Sequence, residues 1–181
     1  MNPTEDAAFM REAIAEARSG LAAGEVPIGA VAVRDGVVIA RGHNQRNALN
    51  DLTAHAEMVC LRQLGLPDST SFDLRDLTLY STLEPCAMCA GAMLHYRVGR
   101  VVYGERDLLL GACGTALQIL TNPDILGHPG EHGDGIAHLP EVVGGLLAHE
   151  CRAPLLEFFA REFGAPSLRW RDILLPGEDA A

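Results

Sequence analysis

Lysine is missing altogether. All 14 cationic side chains of this 181-residue chain are arginines, set against 24 aspartates and glutamates for a formal net charge of -10. A field of that sign repels polyanions, so the overall charge does not draw in nucleic acid. Also missing is any run of about 18 apolar residues, which excludes a membrane-spanning helix. The first residues, Met1-Asn2-Pro3-Thr4-Glu5-Asp6, are acidic and hold no apolar stretch, so a secretory signal is not expected. Five cysteines, an odd count with no such signal, argue against a disulfide framework and for a reducing, cytoplasmic setting. Repeats, low-complexity tracts and linkers are absent, so the length suits one domain with a short extension. A composition 48% hydrophobic and 21% charged belongs to a chain that packs a core.

Periodicity supplies the elements. Ala7, Met10, Ile14, Ala17 and Leu21 stand at helical spacing over residues 6–23, with Gly24 as the stop. Ile28–Val33 and Val37–Ala40 are β-rich runs joined by Arg34-Asp35-Gly36, a hairpin signal. Thr53–Leu64 reads as a helix closed by Gly65, Ser69-Thr70-Ser71 as a polar loop, and Leu77–Thr82 as a strand. A second short helix runs from Pro85, at the tolerated first position, to His95, and Arg100–Tyr103 is another strand. Strands on both sides of helices imply parallel crossovers in an α/β sheet covered by helices. Residues 122–140, rich in Gly and Pro, read as a loop insertion, and Leu146–Phe163 resumes helical spacing. One domain over residues 1–163 and a partly ordered extension over 164–181, with the single tryptophan Trp170, complete the layout.

Chemistry concentrates in His55-Ala56-Glu57 and Pro85-Cys86-Ala87-Met88-Cys89. Alone, Cys-x-x-Cys reads equally as a redox pair or a structural zinc knuckle, and His-x-Glu as a surface pair. Together they offer two thiolates and one imidazole, ligands suited to Zn²⁺. Cys86 and Cys89, three apart at a helix start, can face one ion, and the positive end of that helix favours their thiolate forms. Three protein ligands leave a fourth tetrahedral position for water, the catalytic and not the structural arrangement. Glu57, two residues from His55, is placed to carry protons without binding the metal. His-x-Glu with Pro-Cys-x-x-Cys is the signature of zinc deaminases acting on nucleobases.

In Thr53–Glu57, in Thr82–Met93, in Glu25-Val26-Pro27-Ile28-Gly29-Ala30-Val31 and in Arg97–Gly104, the chain resembles the cytidine deaminase superfamily. Within it, the likeness is to the bacterial tRNA-specific adenosine deaminases, over roughly residues 6–163. The resemblance implies a three-layer fold with a mixed five-stranded sheet flanked by helices, one Zn²⁺ per chain and a homodimer. It implies conversion of the wobble adenosine of a tRNA anticodon to inosine. Carried over by position, His55, Cys86 and Cys89 bind zinc and Glu57 is the proton shuttle. Asn44 contacts the base, Ala56, Leu83, Glu84 and Asp107 line the pocket, and Val26 and Pro27 supply apolar wall.

Departures from the family pattern cluster in the second half. The Lys expected after Gly104 is Leu109, and an Asn-His-Arg triplet of the RNA-gripping loop is missing. Residues 104–181 carry 12 acidic and 5 Arg side chains, a net -7, and no Lys or Arg lies between Arg106 and Arg152. Two substrates therefore stand open: a tRNA anticodon arm, or a free nucleobase or nucleoside of guanine, adenine or cytosine type. A zinc-binding partner subunit of a deaminase is a third reading, which the intact Glu57 disfavours. RNA would require cations on the pocket rim, for which Arg46, Arg97 and Arg106 are the candidates. Scattered histidines at 128, 132, 138 and 149 are read as loop residues and not as a second metal site.

Overall fold

A computed structural model describes residues 3–65, 74–126 and 138–163. The loop at Ser69–Ser71, most of the insertion at 122–140, His128, His132 and the extension with Trp170 lie outside them. The order is α1 (Pro3–Ala22), β1 (Gly29–Arg34), β2 (Val37–His43), α2 (Ala56–Gln63), β3 (Leu77–Leu83), α3 (Ala87–His95), β4 (Arg100–Glu105), β5 (Glu141–Val143) and α4 (Ala148–Phe163), with a 3₁₀ turn at Pro123–Leu126. The strands form one mixed sheet in the order β2-β1-β3-β4-β5. β1 is antiparallel to both neighbours, whereas β3-β4 and β4-β5 are parallel.

Alternation along the strands separates two cores. Ala30, Ala32, Leu77, Leu79, Val101 and Tyr103 pack with Cys60, Leu61, Ala90 and Met93 of α2 and α3. The intervening residues Val31, Val33, Tyr80 and Val102 pack on the other face with Met10, Ala13 and Ile14 of α1 and Cys151 of α4. The result is the three-layer α/β arrangement expected, with β1 and β3 buried on both sides as central strands should be. Asp6 of α1 accepts from Arg100 at 2.8 and 2.9 Å and from the Tyr80 hydroxyl at 2.5 Å, tying that layer to the sheet.

Several boundaries differ from the periodicity, each for a local reason. α1 begins at Pro3, because a proline at the first helical position forfeits no hydrogen bond. The hairpin turns on Asp35 and Gly36, both at positive φ (50° and 73°), the pair of conformations a two-residue type I′ connection requires. α2 starts at Ala56, three residues late, because Asp51 Oδ1 accepts from the Thr53 N–H and hydroxyl at 2.8 and 2.7 Å and holds that stretch in a turn. α3 starts at Ala87 and not at Pro85, whose carbonyl accepts from the Ala112 N–H at 2.8 Å instead of opening the helix. β5, three residues long, is too short to show any alternation and went unread in the pattern.

Candidate active site

The late starts of α2 and α3 shape the site. His55 and Cys86 are the N-cap residues of those helices, both in extended conformation, and neither side chain caps its own helix. Their side chains are therefore free to turn toward each other across the sheet's carboxyl edge. Cys86 Sγ lies 3.6 Å from His55 Nδ1, Cys89 Sγ 3.7 Å from the same nitrogen, and the two sulfurs are 3.7 Å apart.

These separations test whether a metal fits. With Zn–S near 2.3 Å and Zn–N near 2.05 Å, the edges of a tetrahedron are about 3.8 Å for S···S and about 3.6 Å for S···N. The observed triangle has those dimensions, so His55, Cys86 and Cys89 can hold one zinc ion. Their proton affinities reflect the same crowding. Cys86 is held down to about 4, by the S–H of Cys89 and by the His55 ring, while Cys89 is pushed up. The hydrogen bond to Cys86 raises His55.

Glu57, in the first turn of α2, is buried beside this triangle but outside it. Ser81 Oγ donates to one carboxylate oxygen at 3.4 Å, and the Cys89 thiol approaches the other at 3.5 Å. Burial, more than any neighbour, raises its pKa, which favours a carboxyl group able to give a proton as well as take one. Ser81 was missed in the sequence; it is an inward residue of a strand, with no motif to mark it.

A cavity of about 180 Å³ opens over the triangle, lined among others by Val26, Asn44, His55, Glu57, Leu83, Glu84, Cys86 and Asp107. Asn44 is buried, and its Oδ1 accepts from the Ala56 N–H at 2.9 Å, so this side chain caps α2 in place of His55. Glu84 is committed to the loop after β4: its carboxylate accepts from the N–H groups of Cys113 (2.9 Å), Asp107 (3.2 Å) and Thr115 (3.2 Å). That loop returns to the metal triangle through a β-bridge between Gly111 and Cys86.

A family model described as the cytidine and deoxycytidylate deaminase zinc-binding region matches residues 3–105. The chain belongs to this family. It is 42% identical over 156 residues to the tRNA-specific adenosine deaminase of Bacillus subtilis, covering 86% of this chain and 89% of that protein. The chloroplastic tRNA(adenine(34)) deaminase of Arabidopsis thaliana is also 42% identical, over 169 residues; the match covers 86% of this chain and only 12% of that much longer protein. A solved structure from work on A-to-I editing by tRNA:A34 deaminases at the wobble position superposes with a TM-score of 0.68 at 40% identity, covering 81% of this chain and 98% of the other.

Among the residues expected to contact substrate in this deaminase, Ala56 and Pro27 are both buried and do not line the cavity. Ala56 acts through its backbone N–H on Asn44. The cavity adds Ile28, Arg46, Leu110, Leu155 and Phe159. Leu155 and Phe159 show helical spacing in the sequence, but spacing alone does not separate a pocket wall from a core face. Of the three rim arginines, Arg46 lines the cavity, Arg106 donates to Thr115 Oγ1 at 3.2 Å, and Arg97 sits in a left-handed turn after α3.

Proposed function

We propose that the protein is a zinc-dependent hydrolytic deaminase that converts adenosine to inosine at the wobble position of a tRNA anticodon. The observation carrying the chemistry is the tetrahedron-sized triangle of His55, Cys86 and Cys89 with Glu57 buried beside it. The substrate reading is supported by relatives of nearly the same length, named for tRNA adenosine deamination.

Zinc held by His55, Cys86 and Cys89 supplies Lewis acidity that activates water at neutral pH. The protein's own residues do the rest. With its Oδ1 occupied by Ala56, Asn44 offers its amide N–H groups to an acceptor nitrogen of the purine, which orients the ring. Val26, Ile28 and Leu83 give that ring an apolar wall and exclude bulk water. Glu57 takes a proton from the attacking water and passes it to the ring nitrogen beside C6, making C6 more electrophilic. It then takes the remaining proton of the hydroxyl now on C6 and delivers it to the departing amine, so the C6–N bond breaks, C6 keeps the oxygen as a carbonyl, and adenosine and water become inosine and ammonia.

The setting is cytoplasmic and the assembly a homodimer. Among the described residues no helix is long and apolar enough to cross a membrane. The exposed leucines Leu108, Leu109, Leu110 and Leu117 of the loop after β4 suit burial against a second copy.

Ammonia release from the purified, zinc-loaded protein tests the substrate. A stem-loop with wobble adenosine is turned over and guanine, adenine, cytosine and their nucleosides are not. Turnover of a free base at submillimolar KM with an inert stem-loop contradicts the proposal in favour of the small-molecule reading.

A further inference from the structure

Among the described residues, Arg46 lines the pocket with no ion pair to offset its charge. It stands two residues after Asn44, and among the described residues its buried Nε has no hydrogen-bond partner. A buried guanidinium N–H with no acceptor is costly, and protein interiors rarely leave one.

The carboxylates around the pocket do not relieve it. Glu84 accepts from three backbone N–H groups, Asp107 Oδ1 accepts from Leu109 and Leu110 at 2.9 and 3.1 Å, and Glu57 faces Ser81 and Cys89. Glu25, below the same loop, accepts from the N–H groups of Asn47 and Ala48 at 2.8 and 2.9 Å. Among the described residues Arg46 forms no ion pair with any of them. The other arginines near the site are engaged: Arg152 pairs with Glu105 at 2.6 Å and Arg106 with Thr115.

The loop bearing Arg46 is pinned. Besides the Glu25 clamp, Gln45 N–H donates to Ala54 O at 3.0 Å and Asp51 N–H to Arg46 O at 3.1 Å. Arg46 thus belongs to a held loop, in a pocket lining that is otherwise apolar or committed.

A neutral nucleobase offers this group no counter-charge, whereas a nucleotide does. We propose that Arg46 is a specificity residue that binds a phosphate adjoining the reacting nucleoside. This rests on the tRNA reading for the source of that phosphate, a backbone phosphodiester of the anticodon loop. A free mononucleotide presents the same chemistry and is the other source.

The experiment uses the zinc-loaded full chain and a synthetic anticodon stem-loop with wobble adenosine. The phosphodiester on its 5′ or 3′ side is replaced, one at a time, by an uncharged methylphosphonate. In the wild type, one replacement lowers kcat/KM about tenfold, chiefly through KM. Arg46→Gln lowers it by a similar factor, reduces the salt slope by about one, and makes the replacement cost nothing further. Arg46→Lys keeps the salt slope. Because the linkage is altered in the RNA, the wild-type arm needs no variant to fold.

Additive losses in both backgrounds, or wild-type KM in Arg46→Gln, overturn the proposal. A wild type inert toward the stem-loop overturns the RNA reading instead, and AMP against adenosine then decides the phosphate contact. A preference for AMP that Arg46→Gln abolishes upholds it, and equal turnover overturns it.

Discussion

Glu57 combines three properties at one residue: it adjoins the metal triangle, it lies outside it, and burial raises its carboxyl above the usual carboxylate range. Replacing it with Gln keeps the shape and removes the proton exchange. Glu57→Gln is expected to retain one zinc per chain by metal analysis while kcat falls about 10³-fold. Wild-type turnover, or loss of the metal, contradicts the assigned role. His55, Cys86, Cys89 and Glu57 were legible in the sequence because ligand chemistry restricts residue type and spacing together. Ser81 and the commitment of the Glu84 carboxylate were not, since each owes its role to a neighbour far away in sequence. Glu84 looks like a pocket residue in the motif, yet three backbone N–H groups of the loop at 107–115 occupy its side chain.

Elements position the site through two couplings. One is the loop after β4. A Cβ at Gly111 would stand 2.6 Å from Glu84 Oε2 and 2.5 Å from Asp107 O, and Gly111 bridges Cys86. Gly111→Ala is therefore expected to destabilise the fold by about 1–3 kcal/mol and weaken zinc binding together; thermal unfolding and a zinc-chelator competition check it. Unchanged zinc affinity contradicts the coupling. The other is Asp6 with Arg100, which holds α1 against the sheet.

Arg100 keeps the Asp6 carboxyl below its ordinary range. A depressed carboxylate pKa adds stability that is present above the unfolded value, near 4, and lost as pH falls through the lower folded value. Asp6→Asn leaves Arg100 without its bidentate partner and should cost about 3 kcal/mol in urea unfolding at pH 7, with the gap to wild type closing as the pH falls below the folded value. A gap that grows toward acid contradicts this assignment. Four of the five strands and all four helices could be read from periodicity. β5 could not, because three residues carry no period, and the starts of α2 and α3 slipped because side-chain turns and backbone bridges outcompete propensity there.

At the scale of the whole molecule, the acidity and missing lysine at first point away from RNA. The placement of charge narrows that objection. Arg106 and Arg152 are engaged internally, and among the described residues Arg46, which lines the pocket, forms no ion pair and has a buried Nε without an acceptor. A net -10 lowers the general affinity for polyanions without removing a single well-placed contact. Net repulsion over the surface and strong selection at the pocket are compatible.

Deamination of a wobble adenosine in RNA leaves a product that can be located within the chain. Zinc-loaded protein is incubated with a tRNA bearing adenosine at the wobble position, and nuclease fragments are read by mass spectrometry beside a Glu57→Gln control. Inosine is expected at that one position, with ammonia in equal amount, and neither with the variant. An unmodified tRNA alongside consumption of a free purine would contradict it.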